Sequence, residues 1–241
     1  HYGIGADGII LMEHSEKADA KMRMFNSDGS EGAMAGNALR CMGKYLYDQG
    51  LVKSETLTIE TASGVRQLKV YTTNGKVTSA SVDMGRASLD ISGLHLDFPE
   101  RQIIDHPVQI GGQSYNITCV DMGNPHCVVF CSRVDQVDVE RTGPLFEHAP
   151  CFPQRINTEF IRVVNPSTIK MRVWERGSGE TMACGSGACA AVAAAIALGH
   201  CAKGADITVR AKGGDLIVNL TDERVTLTGD AKLVYAGQAE Y

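Results

Sequence analysis

Apolar and polar positions alternate along much of this chain in short stretches, the period of half-buried β-strands. In the first part the alternation marks residues 8–12, 20–26, 57–61, 67–72 and 77–84. Between the second and third stretches the period changes. Over residues 36–48 the apolar side chains Leu39, Met42, Tyr45 and Leu46 follow helical spacing, and Gly50 stands where a helix stops. Glycine turns separate the later strands. Residues 89–105 show no period and read as a crossing between domains. Further strands are expected at 108–110, 116–121, 127–131, 160–165, 168–175, 207–211, 215–220, 224–228 and 231–236. A short helix with a proline break is expected at 137–148, and an alanine-rich helix at 185–198. Residues 176–183 read as a loop.

The two parts are copies of one unit. Lys21-Met22-Arg23-Met24-Phe25-Asn26 is answered 149 residues later by Lys170-Met171-Arg172-Val173-Trp174-Glu175. At the same offset Glu31 matches Glu180, Gly36 matches Gly185 and Gly50 matches Gly199. One step further on, Leu57-Thr58-Ile59 matches Ile207-Thr208-Val209, and Gly64 matches Gly214. Each copy reads strand, glycine-rich loop, helix, strand. The pattern predicts an α+β protein of two pseudo-symmetric domains. Each would be a curved, mainly antiparallel sheet around a central helix, with the active site in the cleft between them. The expected division is 1–84 plus 230–241 against 85–229, the last strand returning to the first domain.

Composition narrows the class. With 241 residues, 44% apolar and 21% charged, the chain has the make-up of a globular protein large enough for two domains. A net charge of −5 without a basic run argues against nucleic acid and anionic membranes as partners. The longest apolar stretch, 188–198, is too short for a bilayer. The eight cysteines form no CxxC or zinc spacing, so no metal is expected. Reduced thiols in apolar settings fit a cytoplasmic location. The chain opens without Met, straight into a glycine turn, and reads as if it began inside a longer protein or covered only an ordered part.

The repeat breaks at the helix junctions, where one copy has Cys184-Gly185-Ser186 and the other Ala35-Gly36-Asn37. A glycine-opened helix start leaves backbone N–H groups free for a carboxylate. It also favours thiolate, so Cys184 is expected to be a low-pKa nucleophile or base. Asn37 is a candidate N-cap of its helix. If both helix starts converge on one carboxylate, positions 35 and 184 flank the same carbon from opposite faces. Two thiols so placed would remove a proton on one face and return one on the other, a cofactor-free racemase or epimerase.

Several long segments resemble the diaminopimelate epimerase family. They are Asn26-Ser27-Asp28-Gly29-Ser30, Gly36-Asn37-Ala38-Leu39-Arg40-Cys41, Gly123-Asn124-Pro125-His126-Cys127 and Trp174-Glu175-Arg176-Gly177-Ser178-Gly179-Glu180-Thr181. Ala183-Cys184-Gly185-Ser186-Gly187-Ala188, the opening Gly3-Ile4-Gly5-Ala6-Asp7-Gly8 and the late Gly229-Asp230-Ala231 fit as well. The resemblance implies roles. Gly36, Asn37, Gly185 and Ser186 would hold the α-carboxylate, and Glu175 the α-ammonium. Asn26, Asn124, Asn157 and Arg176 would read the far amino and carboxylate groups of diaminopimelate. Cys184 would be one catalytic cysteine, with His126 in a supporting role. The resemblance also implies no cofactor and a homodimer. Asn26 and Asn124 also suit plain turns, and Arg176 a solvated loop charge.

Ala35 departs from that pattern, because the first catalytic cysteine of the family falls there. It reads as a Cys→Ala change that traps substrate, as a natural relative with altered chemistry, or as an irregularity of the sequence. Cys41 lies more than a helical turn away from the junction and is not expected to substitute. The family has a further N-terminal stretch carrying a Gly-Asn-Asp-Phe motif. Alternatives to diaminopimelate epimerisation are a racemase of another amino acid such as histidine, a non-catalytic amino-acid binding protein, and a related isomerase working through carboxylates.

Overall fold

A computed structural model of the chain describes residues 5–6, 8–26, 29–32 and 34–238. Gly3, Ile4 and Asp7 of the opening motif, and Ser27 and Asp28 of the first turn, lie outside the described residues. The first copy runs β1 (Gly8–Glu13), β2 (Ala20–Asn26), β3 (Glu31–Gly32), α1 (Gly36–Asp48), β4 (Thr56–Thr61), β5 (Gly64–Thr73) and β6 (Lys76–Asp83). Then come β7 (His106–Ile110), β8 (Gln113–Asp121), β9 (Pro125–Phe130) and α2 (Val139–Glu147). The second copy runs β10 (Asn157–Asn165), β11 (Thr168–Glu175), β12 (Gly179–Thr181), α3 (Gly185–Ala197), β13 (Asp206–Ala211), β14 (Gly214–Leu220) and β15 (Val225–Asp230).

The sequence repeat is a repeat of registers. Met24 faces Gly32 across β2 and β3, and Val173 faces Thr181 across β11 and β12. Ala20 lies beside Ile59 and Ile169 beside Val209, each pair on parallel strands that flank a helix crossover. A forked ion pair ties the two-stranded ribbon in both copies. Arg23 Nε donates to Glu31 at 2.8 Å, and Arg172 Nε donates to Glu180 at 2.8 Å. The sequence reading left 176–183 as a loop and so missed β12. A three-residue strand has too few positions to show a period.

The copies join into one sheet through the antiparallel pair β6–β15, in which Val82 faces Leu227. Both edges of β15 are used, one by β6 and one by β14. Beyond Asp230 the chain leaves the ladder, with Leu233 and Val234 exposed. The strand expected at 231–236 is therefore absent, although its residue types favour one.

Helix α3 is apolar all round and is buried all round, Ala188 to Ala195 lying in the core among β8–β11 and β13–β15. Its alanines give high helix propensity and a thin rod that fits inside the curve. Helix α1 buries Leu39, Met42 and Leu46 and leaves Cys41 and Tyr45 exposed. Gln49 caps it and Gly50 follows at φ 70°, the left-handed stop read from the sequence. A second core, built on Phe146, Phe152 and Phe160, lies under α2. Among the described residues no helix is long and apolar enough to cross a membrane.

Candidate active site

The two helix starts meet. A methyl group added at Gly185 would lie 3.9 Å from Gly36 Cα and 3.5 Å from Asn37 Oδ1. Leu227 Cδ2, on the strand that joins the copies, would be 3.0 Å from a Cβ on Gly36 and 2.8 Å from one on Gly185. A side chain at either position would push on Leu227, and at Gly36 also on Met84 Sδ at 2.8 Å, so glycine at both lets the helix starts converge without displacing them. The residues preceding them, Ala35 and Cys184, are the N-caps of α1 and α3 and both are extended, at φ −137° and −111°.

Asn37 is not the N-cap that its type suggests. The cap falls two residues earlier, at Ala35, and Asn37 uses its side chain to bind the copies together. Its Nδ2 donates to the Ala183 carbonyl at 3.2 Å, and its Oδ1 accepts from buried Arg40 at 3.0 Å. Arg40 also reaches the Asp230 carbonyl, at 3.4 Å. The helix-start geometry is thus held by an arginine that sequence reasoning passed over.

Cys184 lies under the α3 N-terminus. Its sulfur accepts the Gly187 N–H at 3.3 Å and lies 3.5 Å from Ser186 Oγ. The thiol is buried, and burial pushes it well above the usual thiol range, with the charges of Glu175 and Glu159 adding to the rise. The hydrogen bonds from Ser186 and Gly187 pull the other way and are outweighed. The low-pKa thiolate expected from the helix start is therefore not the resting state. Desolvation and two carboxylates exceed the helix-end effect, which reaches at most about 2 kcal/mol.

Three neighbouring strands deliver a polar layer to this point. On β9, β10 and β11 the residues Val128, Ile161 and Met171 face the core around α3. Two-residue periodicity then puts His126, Glu159 and Glu175 on the same face. His126 and Glu159 are fully buried, with His126 Nδ1 and Glu159 Oε1 2.7 Å apart. The other ring nitrogen lies 3.1 Å from Asn124 Oδ1. Glu175 accepts from Thr181 Oγ1, and burial raises its carboxyl above the ordinary range despite that bond and one from Cys184.

Asn157 Nδ2 donates to the Pro125 carbonyl at 2.9 Å, and its Oδ1 accepts the Arg176 N–H at 2.9 Å. It thus fastens the His126 strand to the loop after β11. Buried Glu147 secures the same loop, accepting from Trp174 Nε1 at 2.6 Å and from Gly177 N at 3.1 Å. The Arg176 guanidinium is exposed and donates to the Gln154 carbonyl at 3.1 Å. Asn26, the counterpart of Glu175 in the repeat, closes its own turn through Ser30 at 3.0 Å. Cys41 is exposed on α1 and takes no part in the junction.

Glu159 was not singled out from sequence. Its signal was the lone charge in the run 156–161, at a place where the other copy has Ile10.

Solved structures show the fold. A hydroxyproline epimerase from Agrobacterium vitis superposes with a TM-score of 0.72 at 16% identity, over 94% of this chain and 73% of that one. A PhzF-family phenazine biosynthesis protein from Bacillus anthracis gives 0.69 at 17%, over 95% and 84%. The chain thus has the fold that these two proteins share. In sequence, the model of the diaminopimelate epimerase family matches residues 1–89 and 118–234. The diaminopimelate epimerase of Pelotomaculum thermopropionicum is 46% identical over 242 residues, covering 100% of this chain and 86% of that protein. That of Geobacillus kaustophilus is 48% identical over 243 residues, covering 100% and 84%. The chain belongs to the diaminopimelate epimerase family.

Proposed function

We propose that this site interconverts LL- and meso-diaminopimelate by two-base proton transfer without a cofactor or metal, and that the chain with Ala35 is an inactive form. The observation that carries the reading is the meeting of Gly36 and Gly185, with position 35 before one and Cys184 before the other. A substrate carboxylate bound at both helix starts would set Cα between those two positions. The helix ends would then also stabilise the charge that develops when the α-proton leaves.

In this reading Gly36, Asn37, Gly185 and Ser186 hold the α-carboxylate and Glu175 the α-ammonium. An ammonium beside Glu175 cancels part of the negative charge that keeps Cys184 protonated. Substrate binding would so ease ionisation of the base. Asn26, Asn124, Asn157 and Arg176 read the far end of the substrate, and His126 supports the reacting centre. Proton removal by one thiolate and delivery by the opposite thiol balance over one turnover. Ala35 can do neither.

The unit division at 84/85, with 230–241 counted in the first domain, belongs to the same reading, as does a cytoplasmic location. A homodimer fits the exposed apolar side chains Ile9, Leu11 and Met12 on β1, Tyr45 on α1, and Leu233 and Tyr235 beyond β15.

The test is isotope exchange in deuterated water. The chain as it stands has one base, so it should exchange the α-hydrogen of only one stereochemical configuration and invert neither. Exchange in both configurations, or none in either while substrate binds, would overturn the reading.

A further inference from the structure

We propose that Glu159 is a positioning residue of this site: it locks the His126 ring through Nδ1 and sets the negative charge that the Cys184 thiol faces. This rests on the reading of Cys184 as a base. Glu159 is fully buried in the middle of β10, a place for an apolar side chain. Its Oε1 meets His126, and among the described residues its Oε2 has no hydrogen-bond partner. A buried carboxylate with one oxygen unpaired is costly, and such costs collect at functional sites.

The internal repeat supplies a control. Met24 of β2 is paired with Ile10 in the first copy, and its counterpart Val173 is paired with Glu159 in the second. The same place in the fold is therefore filled by isoleucine in the copy that has alanine in place of the thiol. The facing helix changes in step. Where Ile10 stands, the first turn of α1 has Ala38. Where Glu159 stands, the matching residue of α3 is Gly187. A Cβ on Gly187 would lie 2.5 Å from Glu159 Oε1 and 3.2 Å from Cys184 Cβ. Glycine there makes room for the carboxylate against the helix turn whose N–H is bonded to the Cys184 sulfur.

The groups around the carboxylate are His126 and Cys127 from β9, Glu175 from β11, and Cys184 at the start of α3. Those around the thiol are Glu175, Glu159, Ser186 and the Gly187 N–H. Glu159 meets the histidine at Nδ1 and lies against the helix turn at Gly187. A carboxylate on Nδ1 fixes which ring nitrogen carries the proton and holds the ring plane.

The experiment follows the rate at which methyl methanethiosulfonate converts the Cys184 thiolate to a methyl disulfide with loss of methanesulfinate, mapped by mass spectrometry from about pH 6 to about pH 10. It uses the chain as it stands, Glu159→Gln and Glu159→Asp. Glu159→Gln should speed the reaction about tenfold at a given pH, the equivalent of a thiol midpoint about one pH unit lower. Glu159→Asp keeps the charge and should stay near the native rate. Equal shifts in both variants would mean that packing alone is disturbed and would overturn the proposal, as would no shift in either. Nitrogen NMR of the native protein needs no variant. His126 should carry its proton on Nδ1, and a bare Nδ1 would also overturn the proposal. Neither readout requires turnover. Failure of the isotope-exchange test with these shifts intact would remove the epimerase reading and leave Glu159 in its role.

Discussion

At position 35 the methyl group of alanine stands where the repeat has a thiol at 184. Loss of one member of an acid–base pair costs about 10²–10⁴-fold, and more when the two act as a unit. The chain should therefore show negligible epimerisation, and Ala35→Cys should raise it by at least that factor. Chromatographic separation of the LL and meso forms measures this, and near-normal turnover by the Ala35 protein would sink the two-thiol mechanism. Arg176 presents an exposed planar fork on a loop that Glu147 and Asn157 hold in place. Arg176→Ala should weaken diaminopimelate binding by about tenfold to hundredfold, the range for a charge-assisted hydrogen bond. A simple monocarboxylic amino acid should lose much less. Titration calorimetry on both ligands decides, since equal losses would mean that Arg176 does not read the far carboxylate.

The two central helices are placed by what their first residues lack. Gly36 and Gly185 pack against the same methyl of Leu227, so the approach of α1 to α3 is limited by one leucine on β15. Gly185→Ala should cost about 1–3 kcal/mol by overpacking. Shortening Leu227 opens space at that spot, so the double variant Gly185→Ala, Leu227→Ala should lose less than the sum of the two single changes. Denaturant titration of the four proteins gives the coupling, and strict additivity would show that the helix starts are not held by this contact. At this scale the sequence was legible where an element is long or repeated. Helix α1 and its Gly50 stop, and the strands of both copies, follow from period and punctuation. The three-residue β12 did not, and neither did the cap at Ala35. An N-cap is chosen by backbone direction, and here the direction is imposed by the opposite helix start.

Taken whole, the molecule keeps most of its thiols protonated. Burial pushes Cys131 and Cys151 up to about 11 and Cys189 to about 12, and raises Cys127 and Cys184 as well. An unfolded chain would ionise the same groups near about pH 8.5. The native state therefore binds more protons above that value, so stability is fully present below it and declines as pH rises through the native range. The melting temperature in reducing buffer should be flat near neutrality and fall from about pH 8.5 upward. A melting temperature unchanged up to about pH 10 would contradict the buried, protonated state of these cysteines.

Duplication, the α+β class and the paired helix junctions were open to reading from the chain alone. They rest on period, glycine placement and self-similarity, all of which survive in one dimension. So did the break at Ala35, because a repeat makes an absence visible. The ionisation of Cys184 was not open to such reading. Its helix start argues for thiolate, while Glu159, 25 positions upstream, and Glu175 argue against it. Those carboxylates reach the sulfur only because β10 and β11 lie side by side beneath α3. The second role of Asn37, as the bridge from Arg40 to Ala183, depends on the same convergence. Which groups share a desolvated volume, and so which charge prevails there, is decided by packing between segments far apart in sequence.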